Sequence, residues 1–190
     1  MGIRSFLAFE LPTEIREQIG TVSRELRKST LPIRWVRVEN IHLTVVFLGS
    51  VNENAIEEIK ERINPVVKRY STFEVKLNGV GVFPHWGRPR VIWLGPNGEI
   101  ERISQLRDEL QKELKVVGYR EEKRPFRPHL TIGRFKVPLE KDDYLKWILD
   151  KYHDINSNLH HMSEFILFKS DLKPDGPVYT KMAVWSLAKD

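Results

Sequence analysis

Two short segments of this 190-residue chain begin with histidine and continue alike. His42-Leu43-Thr44-Val45 runs on through Val46-Phe47-Leu48-Gly49, and His129-Leu130-Thr131-Ile132 runs on through Gly133-Arg134. In a β-strand, residues i and i+2 share a face. His42 and Thr44 therefore point one way, and Leu43 and Val45 the other. His129 and Thr131 stand in the same relation to Leu130 and Ile132. Each segment reads as a half-buried strand that offers an imidazole and a hydroxyl to a groove. Histidine titrates near neutrality, so a neutral imidazole and an imidazolium can coexist. One can take a proton from an attacking water while the other protonates a departing ribose oxygen. The threonine hydroxyls can donate hydrogen bonds to non-bridging phosphate oxygens. Two imidazoles without a strong nucleophile suit acid–base chemistry on a phosphodiester, such as the opening of an RNA 2',3'-cyclic phosphate.

A single His-x-Thr on an apolar strand is structural by default, and threonine is at home in strands anyway. Recurrence of the whole pattern, once after Pro128, favours function for His42, His129, Thr44 and Thr131. Arg134 has the wrong parity for the His129 face. A bulge at Gly133 would reset the alternation and turn Arg134 to the groove as a phosphate contact. Phe47 and Gly49 read as packing and turn residues.

Two further stretches set cations beside aromatics: Arg88-Pro89-Arg90-Val91-Ile92-Trp93 and Lys123-Arg124-Pro125-Phe126-Arg127. Arginine with aromatic rings suits phosphates and stacked bases. Arg90, Trp93, Phe126 and Arg127 are therefore candidate substrate contacts, as is Arg4 near the start of the chain. For each alone, a solvated loop or a core ring explains the residue equally well. His85, His153, His160 and His161 read as surface residues. A zinc site on His42 and His129 would need a third ligand at strand or helix spacing, and none is visible.

Those strands need a scaffold, and the rest of the pattern supplies it. Ile3 to Phe9 alternates as a strand. Pro12 opens a helical stripe through Ile15, Ile19, Val22 and Leu26. Trp35 to Val38 is extended, and Ile41 to Leu48 is the first motif strand. Helical stripes recur over Ala55 to Val67, Glu99 to Val117 and Leu139 to Lys151. Phe73 to Phe83, Val91 to Leu94 and His129 to Phe135 are strands. The tail makes two more, Glu164 to Asp171 and Val178 to Leu187, around a Lys173-Pro174-Asp175-Gly176 turn. No flexible linker divides the chain, so residues 1–190 form a single domain. The motifs lie about half a chain apart, each with a helix before and after it, which points to a duplicated topology.

Composition narrows the class. Lys and Arg number 31 against 26 Asp and Glu, a formal net charge of +5, which favours a polyanionic partner, with nucleic acid first. The chain has no cysteine, which removes disulfides, thiolate nucleophiles and Cys-ligated zinc. No apolar run is long enough to span a membrane, and no secretory leader is legible. A cytoplasmic monomer is the default expectation.

The paired His-x-Thr-x elements, Phe47-Leu48-Gly49 after the first and Arg134 after the second, resemble the two-histidine (2H) phosphoesterase superfamily. The match is nearest to its 2'-5' RNA ligase (LigT-like) branch, also called RNA 2',3'-cyclic phosphodiesterases. Arg4-Ser5-Phe6-Leu7-Ala8-Phe9, Trp35-Val36 and Pro89-Arg90-Val91-Ile92-Trp93-Leu94-Gly95 carry the resemblance further. It implies an α+β, bilobal fold: two antiparallel sheets flanked by helices around a central cleft, with pseudo-two-fold duplication. It implies hydrolysis of RNA 2',3'-cyclic phosphate ends to 2'-phosphomonoesters without cofactor or metal. His42 would be the proton donor to the leaving 3'-oxygen and His129 the acceptor that activates water. It adds 2'-5' joining of tRNA halves, with an RNA hydroxyl replacing water. A reading from another class remains: an RNA- or tRNA-binding protein that grips RNA in the basic cleft without turnover.

Overall fold

Hydrophobic alternation and helical stripes become nine strands and four helices in the computed structural model, which describes residues 2–155, 157–174 and 176–188. In chain order these are β1 (Gly2–Glu10), α1 (Thr13–Leu26), β2 (Ile33–Trp35), β3 (His42–Asn52), α2 (Ile56–Val67), β4 (Phe73–Phe83) and β5 (Val91–Gly98). Then come α3 (Ile100–Leu114), β6 (Leu130–Phe135), α4 (Asp143–Lys151), β7 (His160–Met162), β8 (Glu164–Lys173) and β9 (Gly176–Ser186).

The strands form two antiparallel sheets. The first has the order β3-β1-β8-β9 and the second β2-β6-β5-β4-β7. One aliphatic face of each sheet joins the stripes of all four helices in a shared core: Leu7, Phe9 and Leu43 from the first sheet, Ile92, Leu94, Leu130 and Ile132 from the second. Leu43 and Leu130 are at most 1% exposed. Burying each contributes about 2 kcal/mol, and a one-residue slip would bring them to the other face. This burial is what obliges His42 and His129 to look away from the core.

The two sheets repeat one pairing scheme. In each, a motif strand (β3 or β6) lies beside a strand from the same half of the chain (β1 or β5). The third place is taken by a strand from the other half: β8 in the first sheet, β4 in the second. The halves are interlocked, so a cut between β4 and β5 would strip two strands from each sheet: β8 and β9 from the first, β2 and β4 from the second.

Several boundaries differ from the sequence expectation. The extended piece before the first motif lies at Ile33–Trp35, and Val38–Asn40 is a 3-10 turn. Helix α4 starts at Asp143 rather than Leu139, because the Asp142 carboxylate accepts from the Leu145 amide at 2.7 Å and caps the helix there. Helix α3 ends at Leu114, followed by a 3-10 turn that Gly118 closes at φ 81°. Strand β7 was not expected, since three residues carry no readable period. Asp175, in the expected Lys173-Pro174-Asp175-Gly176 turn, lies outside the described residues. Among the described residues no helix is long and apolar enough to cross a membrane.

Candidate active site

His42 opens β3, one residue after the Val38–Asn40 turn. Its Nδ1 lies 2.9 Å from the Asn40 carbonyl oxygen. His129 immediately precedes β6, and its Nδ1 lies 2.8 Å from the Arg127 carbonyl oxygen. A carbonyl only accepts, so both Nδ1 atoms carry hydrogen and donate. Each histidine is anchored to the backbone two residues before it. Each is left with Nε2 as the atom that exchanges protons.

Both motif strands carry a bulge in the same place. Along β1 and β3 the pairing passes from Ala8↔Thr44 to Leu7↔Val46, leaving Val45 unpaired. Along β5 and β6 it passes from Trp93↔Thr131 to Ile92↔Gly133, leaving Ile132 unpaired. An extra residue reverses the alternation beyond it. Arg134 thus returns to the face of His129 and Thr131, as the sequence suggested through Gly133. The same bulge turns Phe47 to the face of His42 and Thr44. Phe47 is 56% exposed, so it is no core packing residue. Its position in the first motif strand corresponds to that of Arg134 in the second: a ring on one wall, a cation on the other. Gly49, expected in a turn, instead lies within β3 opposite Ser5, at φ 72° beside a second bulge that leaves Leu48 unpaired.

The walls around the two imidazoles differ. The His42 ring stacks on Phe6 at 4.6 Å and meets the edge of Tyr179 at 5.1 Å, with Phe168 at 6.0 Å. His129 has the edge of Phe83 at 5.0 Å. Burial pushes the His42 imidazolium down to about 4, opposed by the bond to Asn40 and assisted by the nearby His129. Burial also lowers His129, with the Arg127 carbonyl opposing and Arg134 assisting. Both imidazoles are therefore neutral at pH 7 in the free protein, His42 the more firmly. Burial raises the Tyr179 hydroxyl, and Arg134 and Arg4 oppose the rise. Arg134 belongs to the second sheet and Arg4 to the first, so Tyr179 stands where cations of the two sheets converge.

The family model for the 2'-5' RNA ligase superfamily matches residues 11–164. The chain belongs to that superfamily. An RNA 2',3'-cyclic phosphodiesterase of Methanothermobacter thermautotrophicus is 34% identical over 98% of this chain and all of its own length. One from Thermotoga maritima is 34% identical over 93% of this chain and 91% of its own. A crystal structure of a Thermus thermophilus protein superposes with TM-score 0.82 at 26% identity, covering 99% of this chain and all of the other. The Escherichia coli LigT complex with 3'-AMP gives 0.74 at 26%, covering both chains completely. The α+β fold of two antiparallel sheets expected from the resemblance is the fold found.

Beyond the histidines and threonines, this superfamily member places the remaining candidates unevenly. Trp93 pairs with Thr131 on the groove face and packs on Phe83 at 5.1 Å. Arg4 shares a groove of about 450 Å³ with Phe6, Phe47 and Ser50. Alternation along β5 turns Arg90 to the face opposite Val91 and Trp93, so pairing does not bring it beside Arg134. Phe126 is half-buried beneath the guanidinium of Arg107, which lies 5.3 Å from its ring. It packs against the core rather than lining the groove as a free ring. The Arg127 side chain is exposed, and its carbonyl holds His129.

Three supporting residues escaped the sequence reading. Asn40 orients His42 through its carbonyl and ties β9 to the site by a side-chain bond to the Pro177 carbonyl at 3.1 Å. Arg107 and Gln111, both buried, hold Glu122 by its carbonyl and its amide. They fix the strap that ends at Arg127 and His129. Their spacing from Ile103 on α3 was the available signal, masked by their polarity. Among the described residues no three His, Asp or Glu side chains converge as a metal site would require.

Proposed function

We propose that this cleft hydrolyses RNA 2',3'-cyclic phosphate ends to 2'-phosphomonoesters by general acid–base catalysis. The observation that carries this reading is the matched anchoring of His42 and His129, which leaves two Nε2 atoms free at the starts of the motif strands of two sheets. The relatives named RNA 2',3'-cyclic phosphodiesterase support it. His129 takes a proton from water, and the water oxygen bonds to phosphorus. The bond from phosphorus to the 3'-oxygen breaks, and His42 delivers its proton to that oxygen. Thr44, Thr131 and Arg134 hold the non-bridging oxygens, which carry the charge of the transition state.

A donor must be protonated, yet free His42 is neutral at pH 7. The substrate resolves this. Its phosphate anion beside Nε2 stabilises the imidazolium and raises its affinity for a proton. Donor and substrate then become competent together. Arg4 and the strap cations Lys123, Arg124 and Arg127 add positive potential for RNA, tRNA halves included. Both histidines come from one chain, so a single copy is sufficient for the site, which supports a monomer as the working form.

The deciding experiment is hydrolysis of an oligoribonucleotide ending in 2',3'-cyclic phosphate, with EDTA present and the product read by phosphorus NMR. A 2'-phosphate is expected. A 3'-phosphate, or activity abolished by the chelator, overturns the mechanism. Phe47 supplies a second test. A nucleobase stacked on an aromatic ring is worth about 1–3 kcal/mol, so Phe47→Ala should raise KM about tenfold with little change in kcat. Phe47→Trp should keep KM low. An unchanged KM in the alanine variant would remove Phe47 from substrate binding.

A further inference from the structure

Arg134 has a partner that nothing in the motif announces. In the register of β2 and β6 it stands directly opposite Arg34. Cross-strand partners in an antiparallel pair project to the same face. The neighbouring pairs confirm which face this is. A Cβ on Gly133 would come within 2.5 Å of Ile33, 3.0 Å of Ile92 and 3.1 Å of Trp35, so that side is packed core. Arg34 and Arg134 lie on the other side, and both are exposed.

Like charges directly opposite one another weaken a sheet. Other arginines of this chain sit beside carboxylates: Arg62 with Glu58, Arg69 with Glu109, Arg102 with Glu99. Among the described residues neither Arg34 nor Arg134 has a carboxylate partner. Two unneutralised guanidinium groups, about 5 Å apart at Cα, facing each other across β6 and the three-residue edge strand β2, give the fold nothing. They describe a site that waits for an anion, and the planar fork of arginine matches phosphate oxygens.

The position selects which phosphate. Five residues of strand separate Arg134 from His129, about 15 Å of rise. The arm of Arg134 can reach back towards the reacting group. Arg34 is one strand further out, on β2, and lies beside that group rather than on it.

We propose that Arg34, with Arg134, binds a second phosphate: the phosphodiester that precedes the terminal nucleotide. Resting on the proposed function, this makes Arg34 the residue that distinguishes the end of an RNA chain from a free cyclic mononucleotide. Arg134 bridges the two phosphates, and Arg34 belongs to the second alone.

The test compares kcat/KM on a mononucleotide 2',3'-cyclic phosphate and on a tetranucleotide with the same end, for the wild type and Arg34→Gln. The wild type should favour the tetranucleotide. Arg34→Gln should lower the ratio of tetranucleotide to mononucleotide kcat/KM about tenfold, through KM, as expected for one lost charge-assisted contact. The salt dependence of tetranucleotide binding should weaken by about 0.7 in log–log slope. An unchanged ratio, or an equal loss on both substrates, overturns the proposal. Should the wild type turn over neither substrate, the proposed function fails. Binding of a tetranucleotide with a plain 3'-end, followed by fluorescence anisotropy, still judges Arg34 separately. Weaker binding by Arg34→Gln supports the second-phosphate site, and equal binding refutes it.

Discussion

His42→Ala and His129→Ala are each expected to lower kcat by about 10³-fold or more, the upper range for removing a general acid or base. Neither change should unfold the protein. Each ring is partly exposed at the groove, while Leu43 and Leu130 behind them stay buried. The double variant should be little worse than either single one, because the two groups act in one proton-transfer event. The roles can be separated by chemistry. A cyclic substrate with sulfur in place of the 3'-oxygen leaves as a thiolate and needs no proton. It should rescue His42→Ala and leave His129→Ala inactive. Rescue of His129→Ala instead would exchange donor and acceptor. Turnover within tenfold of wild type in either variant would remove that histidine from the chemistry.

The pH dependence of kcat/KM should be displaced to the acid side, with its maximum below the ordinary histidine value of 6.5. The productive state needs His42 charged and His129 neutral. In the free protein burial holds His42 down to about 4 and also lowers His129. As pH rises above both, the charged fraction of His42 falls tenfold per unit, and kcat/KM, which reports the free enzyme, falls with it. As pH drops below both, His129 becomes protonated and the rate falls again. The two limbs belong to the pair rather than to either residue. In the substrate complex the phosphate anion favours the imidazolium, so the alkaline limb of kcat should lie at higher pH than that of kcat/KM. Measuring both profiles from pH 4 to 9 checks this. A kcat/KM that stays level from 6.5 to 9 would mean that His42 does not act as a charged donor. Folding follows the same sign. A histidine lowered in the folded state binds protons more readily when unfolded, so stability contributed by His42 is complete above 6.5 and lost as pH falls towards 4.

The asymmetry of the cleft was hidden in its symmetry. His-Leu-Thr followed by two core residues occurs twice, and the fifth position after each histidine is where the walls diverge. Phe47 looked like a core residue because simple alternation counts it wrongly. It has the same parity problem as Arg134, and the same bulge resolves both. Only the glycine in the second copy hinted at a bulge; Val45-Val46 in the first copy gave no such sign.

Sequence by itself determined the two imidazoles, their threonines and the aliphatic faces behind them, because period-two alternation is a local property of the chain. It also determined the helical stripes, and through the repeated motif it pointed to the family. Tertiary structure alone decided the rest. Pairing register placed Arg34 opposite Arg134, and no local pattern predicts which residue faces which across strands about a hundred positions apart. The exchange of β4 and β8 between the sheets set the aromatic wall of Phe6, Phe168 and Tyr179 against His42. That wall, assembled from β1, β8 and β9, sets the charge of His42. Desolvation depends on everything packed around a group and therefore cannot be read from the residues beside it in the chain.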